Sequence, residues 1–129
     1  MNLSPKHRPT ESELEILQIL WNKESATVRE VHEVLEQLRD IGYTTTLKTM
    51  QIMTEKGLLS RDKSSRQHVY FPLVSREACQ QVFINKMVDG LFNGSAGRLV
   101  MGALDNKKLN SKEIREIREY LNQFENDQS

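Results

Sequence analysis

The residues best equipped for chemistry lie between Tyr43 and Leu73, in YTTTLKTMQIMTEKGLLSRDKSSRQHVYFPL. Gln51 can bond adenine at two points and Lys48 can reach guanine acceptors, while the hydroxyls of Thr44 and Thr45 can serve base edges or phosphates. Arg61, Lys63, Arg66 and His68 add donors suited to phosphate oxygens, which position a protein on DNA without reading it. The spacing supports this use. With Thr44 to Lys56 on a helix, Thr46, Thr49, Met50 and Met53 fall on one side and Thr44, Lys48, Gln51 and Glu55 on the other. One side packs and the other reads. A solvated helix and an ordinary basic loop would contain the same residue types. The charge distribution favours the DNA reading: Glu11, Glu13, Glu15, Glu24, Glu30, Glu33 and Glu36 crowd the first part, whereas the segment after Tyr43 carries mostly Lys and Arg. A net charge of zero, from 18 basic and 18 acidic residues, thus conceals a polarised chain.

The elements needed to position these groups follow from neighbouring patterns. Gly57 after Lys56 stops the helix, and Leu59 to Lys63 and Gln67 to Leu73 read as strands joined by Ser64-Ser65-Arg66, with the four basic residues around the hairpin tip. Upstream, Thr10 with Glu13 predicts a capping box for a first helix ending near Asn22, with Trp21 in the core. Ser25-Ala26 reads as a connection. Thr27 with Glu30 repeats the box, and Val28, Val31, Leu35 and Leu38 give the second helix one buried face. Asp40-Ile41-Gly42 is its exit turn. Three helices followed by a two-stranded hairpin match a helix-turn-helix with a wing. The predicted fold is therefore mainly α with a small β-hairpin wing: residues 1–74 form the winged helix and 75–129 a helical dimerisation region. A fragment ending at Leu73 is expected to complete its own core.

Past Ser75, a long helix carries Val82, Phe83, Met87, Val88, Leu91 and Phe92, and Asn93-Gly94-Ser95-Ala96-Gly97 breaks it. Leu99 to Leu104 reads as a short apolar helix. Asn110 with Glu113 can cap a last helix carrying Ile114, Ile117, Leu121 and Phe124. About fifty residues are marginal as an independent fold, so Val82, Phe83, Met87, Leu91, Ile114, Ile117, Leu121 and Phe124 are assigned to a homodimer interface. Two-fold symmetry also suits an inverted-repeat operator in double-stranded DNA.

Other chemistries find little support. A chain of 129 residues is short for an enzyme with a deep pocket, and no nucleophile has an adjacent base, so no catalytic residue and no cofactor is assigned. His7, His32 and His68 lack the spacing of a metal pair and read as surface or groove-side residues. Cys79 stands alone, which excludes an internal disulfide framework. Met50 and Met53 read as core filler. The start of the chain lacks an apolar signal core and no segment is long enough to span a bilayer, so a cytoplasmic protein is expected. Lys6, His7 and Arg8 give a positive terminal arm, read as disordered.

The stretches PTESELEILQILW, ATVREVHEVL and YTTTLKTMQIMTEKGLLSRDK with QHVYFPLVS resemble repressors of the penicillinase and methicillin-resistance type, the BlaI/MecI/CopY family. The resemblance implies a dimeric winged-helix repressor on an inverted repeat of TACA/TGTA type. It also implies a membrane sensor protease as a partner that relieves repression by cleavage. Relatives cut this way carry an Asn-Phe bond in the short helix, where this chain has Gly102 and Ala103, and copper-responsive relatives carry C-terminal cysteines, where this chain ends FENDQS. Two other functions stay open at this point. One is a ligand-responsive winged-helix regulator; the other is a protein-interaction adaptor, against which the basic wing and polar helix face argue.

Overall fold

The computed structural model describes residues 8–64 and 66–128. The arm at Lys6 and His7 and the wing residue Ser65 lie outside them. Helix α1 (Glu11–Lys23) starts at Thr10, whose Oγ1 accepts the Glu13 amide at 3.2 Å while Glu13 Oε1 accepts the Thr10 amide at 2.9 Å. Helix α2 (Val28–Leu38) repeats the device with Thr27 and Glu30 at the same two distances. Two first-turn amides that would otherwise lack partners are thereby satisfied in each helix. The Thr27 amide also holds the Glu30 carboxyl below the usual carboxylate range.

Helix α3 (Tyr43–Glu55) ends in a Schellman turn. Gly57 takes a φ of 84°, its amide bonds the Thr54 carbonyl at 3.1 Å, and the Leu58 amide bonds that of Met53 at 2.9 Å. The chain then leaves the helix directly into strand β2 (Leu59–Asp62), which is paired antiparallel with β3 (Val69–Pro72). The connection spans 63–68, longer at both ends than the hairpin pattern indicates.

The sheet corrects one expectation. It has three strands in the order β1-β3-β2, because β1 (Ala26–Thr27), expected as a connection, pairs Ala26 with Tyr70 and Thr27 with Val69. Two residues are too few to carry an alternation signal. β1 nevertheless ties the start of α2 to the wing, since Thr27 is at once a ladder residue and the N-cap.

Leu17, Leu20, Val31, Leu35, Met50, Met53 and Leu58 are fully buried, with Tyr70 from the sheet beside them. Trp21 is half-buried against this cluster and donates its indole N–H to the Val74 carbonyl at 2.9 Å. Met50 and Met53 fill the core as expected. Leu38 does not: it is the last residue of α2, 66% exposed, at the end of a helix that outruns the core. His32 also departs from the expected surface position and is 7% exposed.

Three helices follow: α4 (Arg76–Leu91), α5 (Ala96–Asn106) and α6 (Ser111–Gln128). Ser95 caps α5 through the Arg98 amide, and Asn110 caps α6 through the Glu113 amide, the latter as its spacing predicts. The chain divides into two compact units at Asn85 and Lys86, within α4. In the first unit Val74 and Cys79 belong to the core, so a fragment ending at Leu73 would cut through it. Burial also pushes the Cys79 thiol up. In the second, the Phe92 ring lies over Gly102, 3.7 Å from where a Cβ would stand. No helix among the described residues is long and apolar enough to cross a membrane.

Candidate nucleic-acid interface

Helix α3 is held from beneath by a polar contact. Thr46, fully buried, meets His32 Nδ1 through its hydroxyl at 2.9 Å, and His32 Nε2 meets Glu36 Oε1 at 2.8 Å. With both ring nitrogens engaged, the imidazole fixes the rotation of α3 against α2. The Tyr43 ring stands edge-on to the same imidazole, 5.5 Å between centroids and 83° between planes, and the Arg29 guanidinium lies 5.7 Å above Tyr43.

With the inner face so fixed, Thr44, Thr45, Lys48, Gln51 and Glu55 are exposed. Thr49, expected on the inner side, is half-buried and donates its hydroxyl to the Thr45 carbonyl at 2.8 Å. Lys56 is engaged within the fold. Its ammonium donates to both carboxylate oxygens of Glu13, at 2.8 and 3.0 Å, and Glu13 is itself 4% exposed.

The basic residues of the hairpin occupy two different settings. Lys63, Arg66 and His68 are exposed between the strands. Asp62 accepts the Ser64 amide at 2.9 Å, which orders the start of the turn and lowers the Asp62 carboxyl below its usual range. Arg61 sits instead within the ladder, opposite Tyr70, and is half-buried. It lines a hollow beside Gln51, Thr54 and Glu55, and its Nε is buried with no hydrogen-bond partner among the described residues. Arg61 thus stands next to a candidate base reader rather than at the tip.

The start of α3 differs from that of its neighbours. It is entered from Gly42 with no side-chain cap hydrogen bond among the described residues, whereas α1, α2, α5 and α6 are each capped by a side chain. Arg29 and Tyr43, on either side of this opening, escaped the sequence reading. The signal was present in Thr27–Glu30 spacing, which puts Arg29 in the first turn of α2, but only the packing of α2 on α3 brings the two side chains together. Among the described residues no group of three or more His, Cys, Asp or Glu side chains is placed to hold a metal ion.

A polar-faced helix fixed on a small helical core, followed by a basic antiparallel hairpin, defines the class: a winged-helix DNA-binding protein. The family described as penicillinase repressor matches residues 9–123. The chain belongs to that family of transcriptional repressors. It is 27% identical over 123 residues to the penicillinase repressor of Bacillus licheniformis, covering 91% of each chain. The methicillin resistance regulatory protein MecI of Staphylococcus aureus (strain N315) is 28% identical over 115 residues, 86% of this chain and 90% of that one. The transcriptional regulator BlaI of Mycobacterium tuberculosis (strain ATCC 25618 / H37Rv) is 35% identical over 77 residues, 59% of this chain and 54% of that one.

Proposed function

We propose that the protein represses transcription as a homodimer, each winged helix reading one half of an inverted-repeat operator. Residues 1–74 act as the reading head, its core completed by Cys79 from the start of α4, and the rest of 75–129 acts as the dimerising part. The observation that carries this is the exposed row of Thr44, Thr45, Lys48 and Gln51 on a helix whose opposite face is locked into the core. In this arrangement Lys48 and Gln51 discriminate bases, and Thr44 and Thr45 bond phosphates or base edges near the helix start. Lys63, Arg66 and His68 hold the flanking backbone. Arg61, from its place in the ladder, supports the same backbone next to Gln51.

The second unit supplies most of the dimer interface. Met87, Leu91, Ile114, Leu121 and Phe124 are exposed, Leu91 by 78%, and Ile117 is half-buried in an apolar groove of about 380 Å³ with Leu99, Val100 and Leu104. Val82 and Phe83, on the part of α4 that belongs to the first unit, are half-buried. Exposed apolar side chains on α4, α5 and α6 are what a self-complementary interface requires. The function needs no cofactor and no enzymatic step in this chain. Release from DNA through a membrane sensor protease is part of the proposal.

Fluorescence anisotropy with a TACA/TGTA inverted repeat and a scrambled duplex tests the reading. Gln51→Ala is expected to cost about 1–3 kcal/mol on the repeat, with relaxed preference at one base pair and little change on the scrambled duplex. Equal losses on both duplexes would remove Gln51 from base reading.

A further inference from the structure

A second hollow lies on the other stretch of α3, enclosed by α2, α3 and the wing. It measures about 290 Å³ and is lined by Thr27 and Arg29 from the start of α2, Tyr43 and Leu47 from α3, and Gln67 and His68 from the approach to β3. Its rim is polar, and among the described residues Arg29 is its one formal cation and no carboxylate lines it. Arg29 makes no ion pair among the described residues; its guanidinium is carried on the Tyr43 ring at 5.7 Å. A guanidinium held over an aromatic face by cation–π attraction is partly preorganised and loses less freedom on meeting an anion. The Tyr43 ring is in turn steadied by His32, whose ring nitrogens are both engaged.

The place of this hollow decides its occupant. It is bounded on one side by the first turns of the reading helix and on the other by the wing, so a DNA strand running from the groove that takes α3 to the wing crosses it. We infer that this hollow seats a backbone phosphate of the operator, gripped by Arg29 on its Tyr43 platform, as a contact separate from the wing tip. The inference rests on the DNA-reading role of α3 and extends it to two residues outside the reading row. Because a phosphate carries no sequence, the Arg29 contact adds affinity to operator and random duplex alike. It also fixes how deeply and at what angle α3 enters the groove.

The test is the salt dependence of binding, measured with the full chain on the inverted repeat and on a scrambled duplex for wild type, Arg29→Ala, Arg29→Lys, Arg66→Ala and Arg39→Ala. Arg29 is exposed, so its replacement leaves the fold intact; thermal denaturation of each variant checks this. The slope of log affinity against log salt is expected to fall by about one unit for Arg29→Ala on both duplexes, to be kept by Arg29→Lys, and to be unchanged for Arg39→Ala, whose guanidinium is engaged with Glu15. An unchanged slope for Arg29→Ala beside a lowered slope for Arg66→Ala overturns the inference while leaving the wing and the DNA role standing. A loss confined to the inverted repeat makes Arg29 a base reader and overturns the phosphate assignment. Wild-type binding with no salt dependence removes the DNA role and the inference together.

Discussion

Glu13 shows how one side chain can serve two parts of the molecule. One of its oxygens closes the capping box at the start of α1, and the carboxylate as a whole receives the Lys56 ammonium from the end of α3. Removing the lysine would leave a buried carboxylate with only the Thr10 amide, and such orphaned charges are costly. Lys56→Met is therefore expected to destabilise the fold by about 3 kcal/mol, the lower part of the range for a broken buried pair, since Lys56 keeps some contact with water. The double variant Glu13→Gln with Lys56→Met should recover much of this, because glutamine can still close the box. Urea denaturation of the three proteins decides it. A double variant no more stable than Lys56→Met alone would show that the ion pair is not the source of the loss. The Thr10–Glu13 spacing is readable from the sequence. The Lys56 partner is not, because the two lie 43 residues apart and meet only through the packing of α1 against α3.

At the scale of elements, the turn after α3 sets where the wing begins. Gly57 adopts a left-handed conformation, and a Cβ built there meets nothing within 4 Å, so any penalty for a side chain comes from the backbone alone. Gly57→Ala is expected to cost about 1–2 kcal/mol in chemical denaturation. A neutral result would mean that the turn relaxes, and the junction between α3 and β2 would then not be rigid. Both capping boxes, the α3 span to within a residue of each end, and the helix breaks at Gly57 and Asn93-Gly94 are legible because each is signalled by residues close in sequence. What escapes is settled by distant partners. β1 exists only because Tyr70 and Val69 pair with it, the burial of His32 depends on Thr46, and the inward setting of Arg61 follows from its register with Tyr70. The candidate site divides in the same way: the outward row of α3 follows from helical periodicity, while Arg29 and Tyr43 meet only in the folded chain.

At the scale of the whole molecule, the proposed repression needs two reading heads acting together. Charged residues placed in the apolar seam of α6 should separate them, so Leu121→Asp with Phe124→Asp is expected to sediment as a monomer at micromolar concentration with its helix content retained. The consequence for DNA is the most direct test of the central claim. Once one head is bound, the second meets its half-site as an effectively intramolecular event, which raises avidity by roughly a hundredfold or more. The decisive measurement is the affinity of the full chain for a duplex carrying both halves of the inverted repeat against one carrying a single half, at fixed salt. Binding to the two-half duplex should be tighter by about a hundredfold or more, and the Leu121→Asp, Phe124→Asp variant should abolish the difference. Equal affinity of the intact protein for the two duplexes would contradict a dimeric repressor that reads both halves at once.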